Sequence, residues 1–138
     1  MLYLHHAYLN VTQGVDLLNA SADVGRALRE SQVVNGLLTV FIPHGGAGVV
    51  LLENKPALQA EFKELIVSFA DKAHLRGALL SSSVGIPIKD GKLLLGPWQE
   101  VIIFDFDEKV GRREVLLHVM GEGAEKAGDK SQETGVKK

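Results

Sequence analysis

No cysteine occurs among the 138 residues. That absence removes zinc-finger, iron–sulfur and thiol-nucleophile chemistry, and leaves any metal to histidine and carboxylate ligands. No apolar run approaches the roughly 20 residues that a bilayer-spanning helix needs. Met1-Leu-Tyr-Leu-His-His also lacks the basic region, apolar stretch and cleavage site of a secretory leader. A cytoplasmic location without membrane contact is the expectation. Charge of one sign is missing as well: 15 basic against 17 acidic residues leave a formal net charge of −2. This is too balanced for a protein whose affinity rests on a basic face laid along phosphates, so nucleic acid is not an expected partner.

What is present describes an ordinary folded domain. Apolar residues make up 46% and charged residues 23% of the chain, and a domain near this size buries roughly 68–70% of the surface its unfolded chain exposes. One domain is expected over residues 1–120. From Gly121 to Lys138 the chain is polar, mixed in sign and nearly free of large apolar groups. Such a segment buries too little to offset its ordering entropy, and it reads as a flexible polar tail.

Leu2 to Val11 mixes apolar, aromatic and histidine residues without helical spacing, and predicts an opening strand. Ser21 as N-cap, Asp23 in the first turn, and Val24, Ala27 and Leu28 at spacings of three and four predict a helix closed by Asn35-Gly36. Leu37 to Ile42 and Ala47 to Leu52 read as two strands and are expected to be sheet neighbours across the Pro43-His44-Gly45-Gly46 break. A second helix starts near Pro56, with Leu58, Phe62, Leu65, Ile66 and Phe69 forming its apolar stripe. Ala78 to Ile88 predicts a strand, Asp90-Gly91 a tight hairpin turn, and Lys92 to Leu95 its return. Glu100 to Phe106 and Arg113 to Met120 are the last two strands. Seven strands against two main helices, without regular βαβ alternation, indicate an α+β fold on mostly antiparallel sheet.

Candidate chemistry is sparse. His44 ends a predicted strand directly before two glycines, where backbone can approach a ligand closely. The plainer reading is a strand-terminal histidine in a glycine turn. Glu53 ends the next strand, and a helix leads on to His74, so two imidazoles and a carboxylate could converge as an open zinc or non-haem iron set. Sequence spacing is weak support for that, since no two of the three lie within one helical turn. Asp105 and Asp107 alternate along a strand and read as a solvent face, and His118, between Leu117 and Val119, falls on the wetter side of its strand. Ser81-Ser82-Ser83 has no evident base partner. The stretch Gly85 to Lys92 has the wrong spacing for a phosphate-binding P-loop.

The most specific stretch is Lys92-Leu-Leu-Leu-Gly-Pro-Trp-Gln99, which follows Lys89-Asp90-Gly91 and places the only tryptophan beside a polar amide. With Thr39-Val-Phe-Ile-Pro-His44-Gly-Gly and Ala73-His74-Leu75, it resembles the YjbQ-like family, small proteins often labelled secondary thiamine-phosphate synthases. Members of that family carry a histidine before two threonines, then a glutamate in an Asn-Glu-Asn-type step, a His-Ala-His-Leu step, and a later motif. His44, Glu53-Asn54, His74, Pro87, Asp90-Gly91, Leu95-Gly96 and Trp98-Gln99 fall at the matching places, over roughly Ser21 to Gly121. The resemblance implies a homotrimer with sites near subunit boundaries, and a thiamine-phosphate-synthase-like activity. In that reading His44, Glu53 and His74 are catalytic residues that hold a divalent metal such as zinc or polarise a phosphorylated substrate.

This chain departs from the pattern where chemistry would occur. Gly45 and Gly46 stand for the two threonines, Lys72 for the first histidine of His-Ala-His, and Pro97 for a threonine, and the segment between Glu53 and His74 is shorter. A protonated lysine donates but cannot coordinate a metal. The alternative is therefore a non-catalytic binder of a phosphate- or carboxylate-bearing small molecule, with a degenerate metal site. Its anion would rest on Gly45, Gly46, Lys72 and the histidines, and Trp98 and Gln99 would contact the rest of the ligand. Against this stands Lys72 as a solvated helix-end lysine, and Trp98 as a core or interface anchor.

Overall fold

A computed structural model describes residues 1–124; the tail over residues 125–138 lies outside the described residues. Eight strands and three helices follow in the order β1 (Leu2–Val11), β2 (Asp16–Asn19), α1 (Ser21–Ser31), β3 (Val33–Phe41), β4 (Ala47–Glu53), α2 (Pro56–Phe69), α3 (Ala73–Leu79), β5 (Ser83–Lys89), β6 (Lys92–Leu93), β7 (Gln99–Asp105) and β8 (Gly111–Gly123). All pairings are antiparallel. They build a five-stranded sheet, β1-β8-β3-β5-β6, and a three-stranded sheet, β2-β7-β4. The α+β reading holds.

The small sheet lies between two apolar clusters. Val101 and Ile103 join Leu38, Val40, Val49, Val115, Leu117 and Val119 in the core shared with the large sheet, where α1 adds Val24 and Ala27. Ile102, Phe104 and Phe106 face the other way and meet Ile66, Leu80 and Phe62 under α2 and α3. Strand β7 is thus covered on both faces, which is why Val101-Ile-Ile-Phe104 is a continuous apolar run rather than an alternating one. Phe62 packs on Phe104 with ring centroids 5.3 Å apart, and this contact seats α2.

Several expectations are corrected. Strands β3 and β4 are not sheet neighbours: β3 sits between β8 and β5, and β4 is an edge of the other sheet. The Pro43–Gly46 connection crosses between the sheets, because the apolar alternation of each strand must face the same core from opposite sides. Helix α1 does not run to Asn35-Gly36. It stops at Gln32, which takes a left-handed conformation at φ 59°, and Gly36 is inside β3, where a Cβ would lie 2.0 Å from the Met120 carbonyl oxygen. Ser21 is the first helical residue rather than the cap, and its hydroxyl instead accepts the Val101 amide at 3.0 Å. A third helix, α3, was not foreseen and runs into the start of the strand expected from Ala78, which begins only at Ser83 as β5; short β2 was not foreseen either. The last strand continues through Gly121, Glu122 and Gly123, three residues that composition alone assigns to the tail.

Candidate functional site

The Pro43–Gly46 turn is pinned by backbone bonds: His44 N–H donates to the Ile42 carbonyl at 2.9 Å, Ala47 N–H to His44 at 3.2 Å, and Phe106 N–H to Gly46 at 2.8 Å. The last of these fastens the turn to the end of β7. Helix α3 then packs on it through Gly77, whose absent Cβ would stand 2.4 Å from the Gly45 carbonyl oxygen. Helix, turn and strand end thereby converge, and each contributes a titratable side chain. His44 Nε2 lies 3.0 Å from Asp107 Oδ2. The His74 ring lies over Gly45, with Nδ1 2.7 Å from the position a Cβ there would take. Glycine at residue 45 is what leaves room for this imidazole; a side chain there would displace it.

Asp107 is the functional candidate that sequence reading set aside. Its neighbour Asp105 is fully buried, its Oδ2 accepting Arg113 Nε at 2.6 Å and its Oδ1 accepting the Asp107 amide at 3.0 Å. Arg113 also donates to the Lys109 carbonyl. This pair shapes the β7–β8 turn and so sets where Asp107 stands. Alternation places Asp105 and Asp107 on one side of the chain, but nothing local shows that this side is closed by an arginine eight residues on. The Lys109 amide, donating to Asp107 Oδ1 at 2.9 Å, holds the Asp107 carboxyl below the ordinary range; His44 adds to this against an opposing contribution from burial. An ionised Asp107 only accepts, so His44 donates from Nε2 and its neutral ring keeps the lone pair on Nδ1.

A pH dependence follows with a definite sign. A carboxyl whose folded value is depressed stabilises the fold above its unfolded value, and that contribution is lost as pH falls through the folded one. In a carboxyl-carbon NMR titration, Asp107 is expected to titrate below the ordinary aspartate value of about 3.9. Its midpoint should rise in His44→Ala; an unchanged midpoint would show that the ring does not hold the carboxylate.

Glu53 does not join this group. Strand β4 starts at the turn, with Ala47 opposite Asp105, and ends with Glu53 opposite Gln99. Six extended steps carry Glu53 about 20 Å away. There it faces Lys55, 3.4 Å off. One chain therefore does not assemble the His44, Glu53 and His74 metal set, and no cluster of three possible ligands occurs among the described residues. With Glu53 at the far end of β4 and only the two histidines and Asp107 near the turn, these residues do not fit a zinc ion within a single subunit, and no step is derived through one.

Glu53, Trp98 and Gln99 form a second group at the far end. Trp98 is 71% exposed and sits at φ 68°, a region costly for a bulky side chain. Its carbonyl accepts the Asn54 amide at 2.8 Å. Gln99 commits its amide oxygen to the Gly96 N–H at 2.7 Å, the backbone-satisfying role. Lys72 stands exposed between α2 and α3, and its ammonium has no ion pair among the described residues.

Comparison with known proteins decides the kinship. A model of UPF0047 proteins, described as YjbQ-like, matches residues 5–122. The chain belongs to the YjbQ-like UPF0047 family. A UPF0047 protein of Synechocystis is 33% identical to this YjbQ-like chain, the match covering 80% of it and 87% of the relative. One from Methanocaldococcus jannaschii is 29% identical, over 78% and 86%. Among solved structures, a hypothetical protein from Aeropyrum pernix superposes with a TM-score of 0.80 at 27% identity, covering 86% of this chain and 98% of that one. A YbjQ-like protein of unknown function from Sulfolobus solfataricus superposes with a TM-score of 0.84 at 22% identity, over 88% and 99%, a likeness of fold alone. No helix among the described residues is long and apolar enough to cross a membrane.

Proposed function

We propose that this protein takes a small phosphate- or carboxylate-bearing molecule at the His44–Gly46 turn, with the His74 ring and the Lys72 ammonium as donors to the anion and the Asp107–His44 pair as a proton-transfer group. The observation that carries the reading is the meeting of His44, His74 and Asp107, from three separate segments, around one glycine turn. A histidine held by a carboxylate is suited to moving a proton. A thiamine-phosphate-synthase-like reaction is the activity the family resemblance implies for such a site.

In this reading the working unit is a homotrimer in which Glu53, Trp98 and Gln99 of one subunit complete the His44 site of the next, since one chain holds the two groups at opposite ends of β4. The outer face of the large sheet supports such an assembly. Leu2, Leu4, Leu37, Phe41 and Met120 are exposed there, on residues that register side by side, and exposed apolar area of this kind marks interfaces.

Thermal-shift titration with phosphate, pyrophosphate and phosphorylated thiamine precursors tests the proposal. A ligand at 100 times its dissociation constant should stabilise the fold by about 2.7 kcal/mol through mass action. The response is expected to vanish in His74→Ala, and in Trp98→Gly, a change that itself relieves the left-handed strain and leaves the free protein at least as stable. No response to any anion rejects the site; a response that survives both substitutions places it elsewhere.

A further inference from the structure

We propose that a groove at the opposite end of β3 from His44 is a second ligand site, one that takes an amphipathic monoanion such as an alkyl or aryl carboxylate. The separation is large: β3 from Phe41 back to Val33 spans about 25 Å. Three departures from regular backbone open the groove. Between Val33 and Asn35 the β3–β8 register slips, so that Val34 bulges out of the ladder. On the partner strand Gly121, paired with Gly36, adopts φ 154°, and a Cβ there would stand 2.1 Å from the Asn35 carbonyl oxygen. The left-handed Gln32 turns α1 away from the sheet, while the Asp90-Gly91 turn folds back to donate the Gly91 amide to the Val34 carbonyl at 2.9 Å. Bulges and positive φ angles gather at functional sites more than elsewhere.

The resulting cavity holds about 960 Å³, at the upper end of the roughly 300–1,000 Å³ common for small-molecule pockets. Its walls are mainly apolar, from Met1, Leu28, Val33 and Val34 over a floor of Gly121 and Gly123. Arg29 on its lining has no ion pair or side-chain hydrogen bond among the described residues, and neither does the Gln32 side chain. Glu122 also lines it and is already partnered. Arg29 is exposed at the rim, its Nη1 lying 3.3 Å from where a Gly25 Cβ would be, and its unpaired guanidinium is free to swing over the trough. An apolar trough with such a group at its rim matches a ligand that is apolar along its length and anionic at one end, because a guanidinium binds a carboxylate through two parallel donors.

Titration of the full-length, nitrogen-15-labelled protein with decanoate, below its micelle concentration, tests this. Saturable shifts are expected at the Gln32, Val34, Gly91 and Gly121 amides. Arg29→Gln should weaken binding about tenfold, equivalent to about 1.4 kcal/mol. Gly123→Leu should abolish the shifts, because its new side chain enters the groove at the flexible end of Met1. Decanol binding as tightly as decanoate, equal affinity in Arg29→Gln, or shifts spread over the outer sheet face instead of the groove would each overturn the assignment.

Discussion

Replacing Arg113 with leucine is expected to lower stability by about 3–5 kcal/mol, the loss typical when one partner of a buried ion pair is removed. Asp105 is 0% exposed and the Arg113 side chain 9%, so water cannot replace the guanidinium. The carboxylate would keep only the Asp107 amide as a donor. Against a typical domain stability of 5–15 kcal/mol this is a large fraction, and urea denaturation should show it as a shifted midpoint. Arg113→Lys should lose less, since it keeps the charge while giving up the bond to the Lys109 carbonyl. A loss below about 1 kcal/mol in Arg113→Leu, the range of exposed pairs, would mean that water reaches Asp105. Because the same pair shapes the turn that carries Asp107, Arg113→Lys should also weaken any ligand response that depends on His44.

Gly77→Ala should reverse the usual sign of its substitution. In a free helix alanine is better than glycine by about 1 kcal/mol. Here the added methyl would stand 2.4 Å from the Gly45 carbonyl oxygen and 2.9 Å from the Ala47 amide nitrogen, both backbone atoms that cannot rotate aside. A net loss of about 2–3 kcal/mol is expected from the overpacking. The His74 ring should move off Gly45 as α3 is pushed outward, and the anion-induced thermal shift should fall with it. A Gly77→Ala protein more stable than the parent would show that α3 does not press on the turn.

Much of the architecture was legible because the signals are local. Helix α2 starts at Pro56 as read, although of its stripe Phe62 and Ile66 pack inward while Leu65 and Phe69 are exposed, and Asp90-Gly91 turns the β5–β6 hairpin with both residues at positive φ. The apolar run of β7 marks it as a strand covered on both faces. Helix α3 was missed because it is seven residues long and carries Gly77 at its packing point. Ala73, Leu75, Arg76, Ala78 and Leu79 are good helix formers, but so short a segment is marginal by itself, and contact with the Gly45 turn supplies the rest. Asp105 was misread for a related reason: an alternating pattern gives the side of a strand, not whether that side meets water or an arginine from the next strand.

His44, Gly45, Gly46 and His74 were visible in sequence as candidates, and the folded chain does bring them together; Glu53 was equally visible and is not among them. Chain order and residue type determined the α+β class, most strands, the longest helix and the chemistry available, because periodicity and turn residues act over a few positions. Tertiary structure alone decided which of those groups meet. A crossing between sheets moves the chain to a new layer in four residues, while an extended strand carries a side chain about 20 Å in seven, so nearness along the sequence says little about nearness in space.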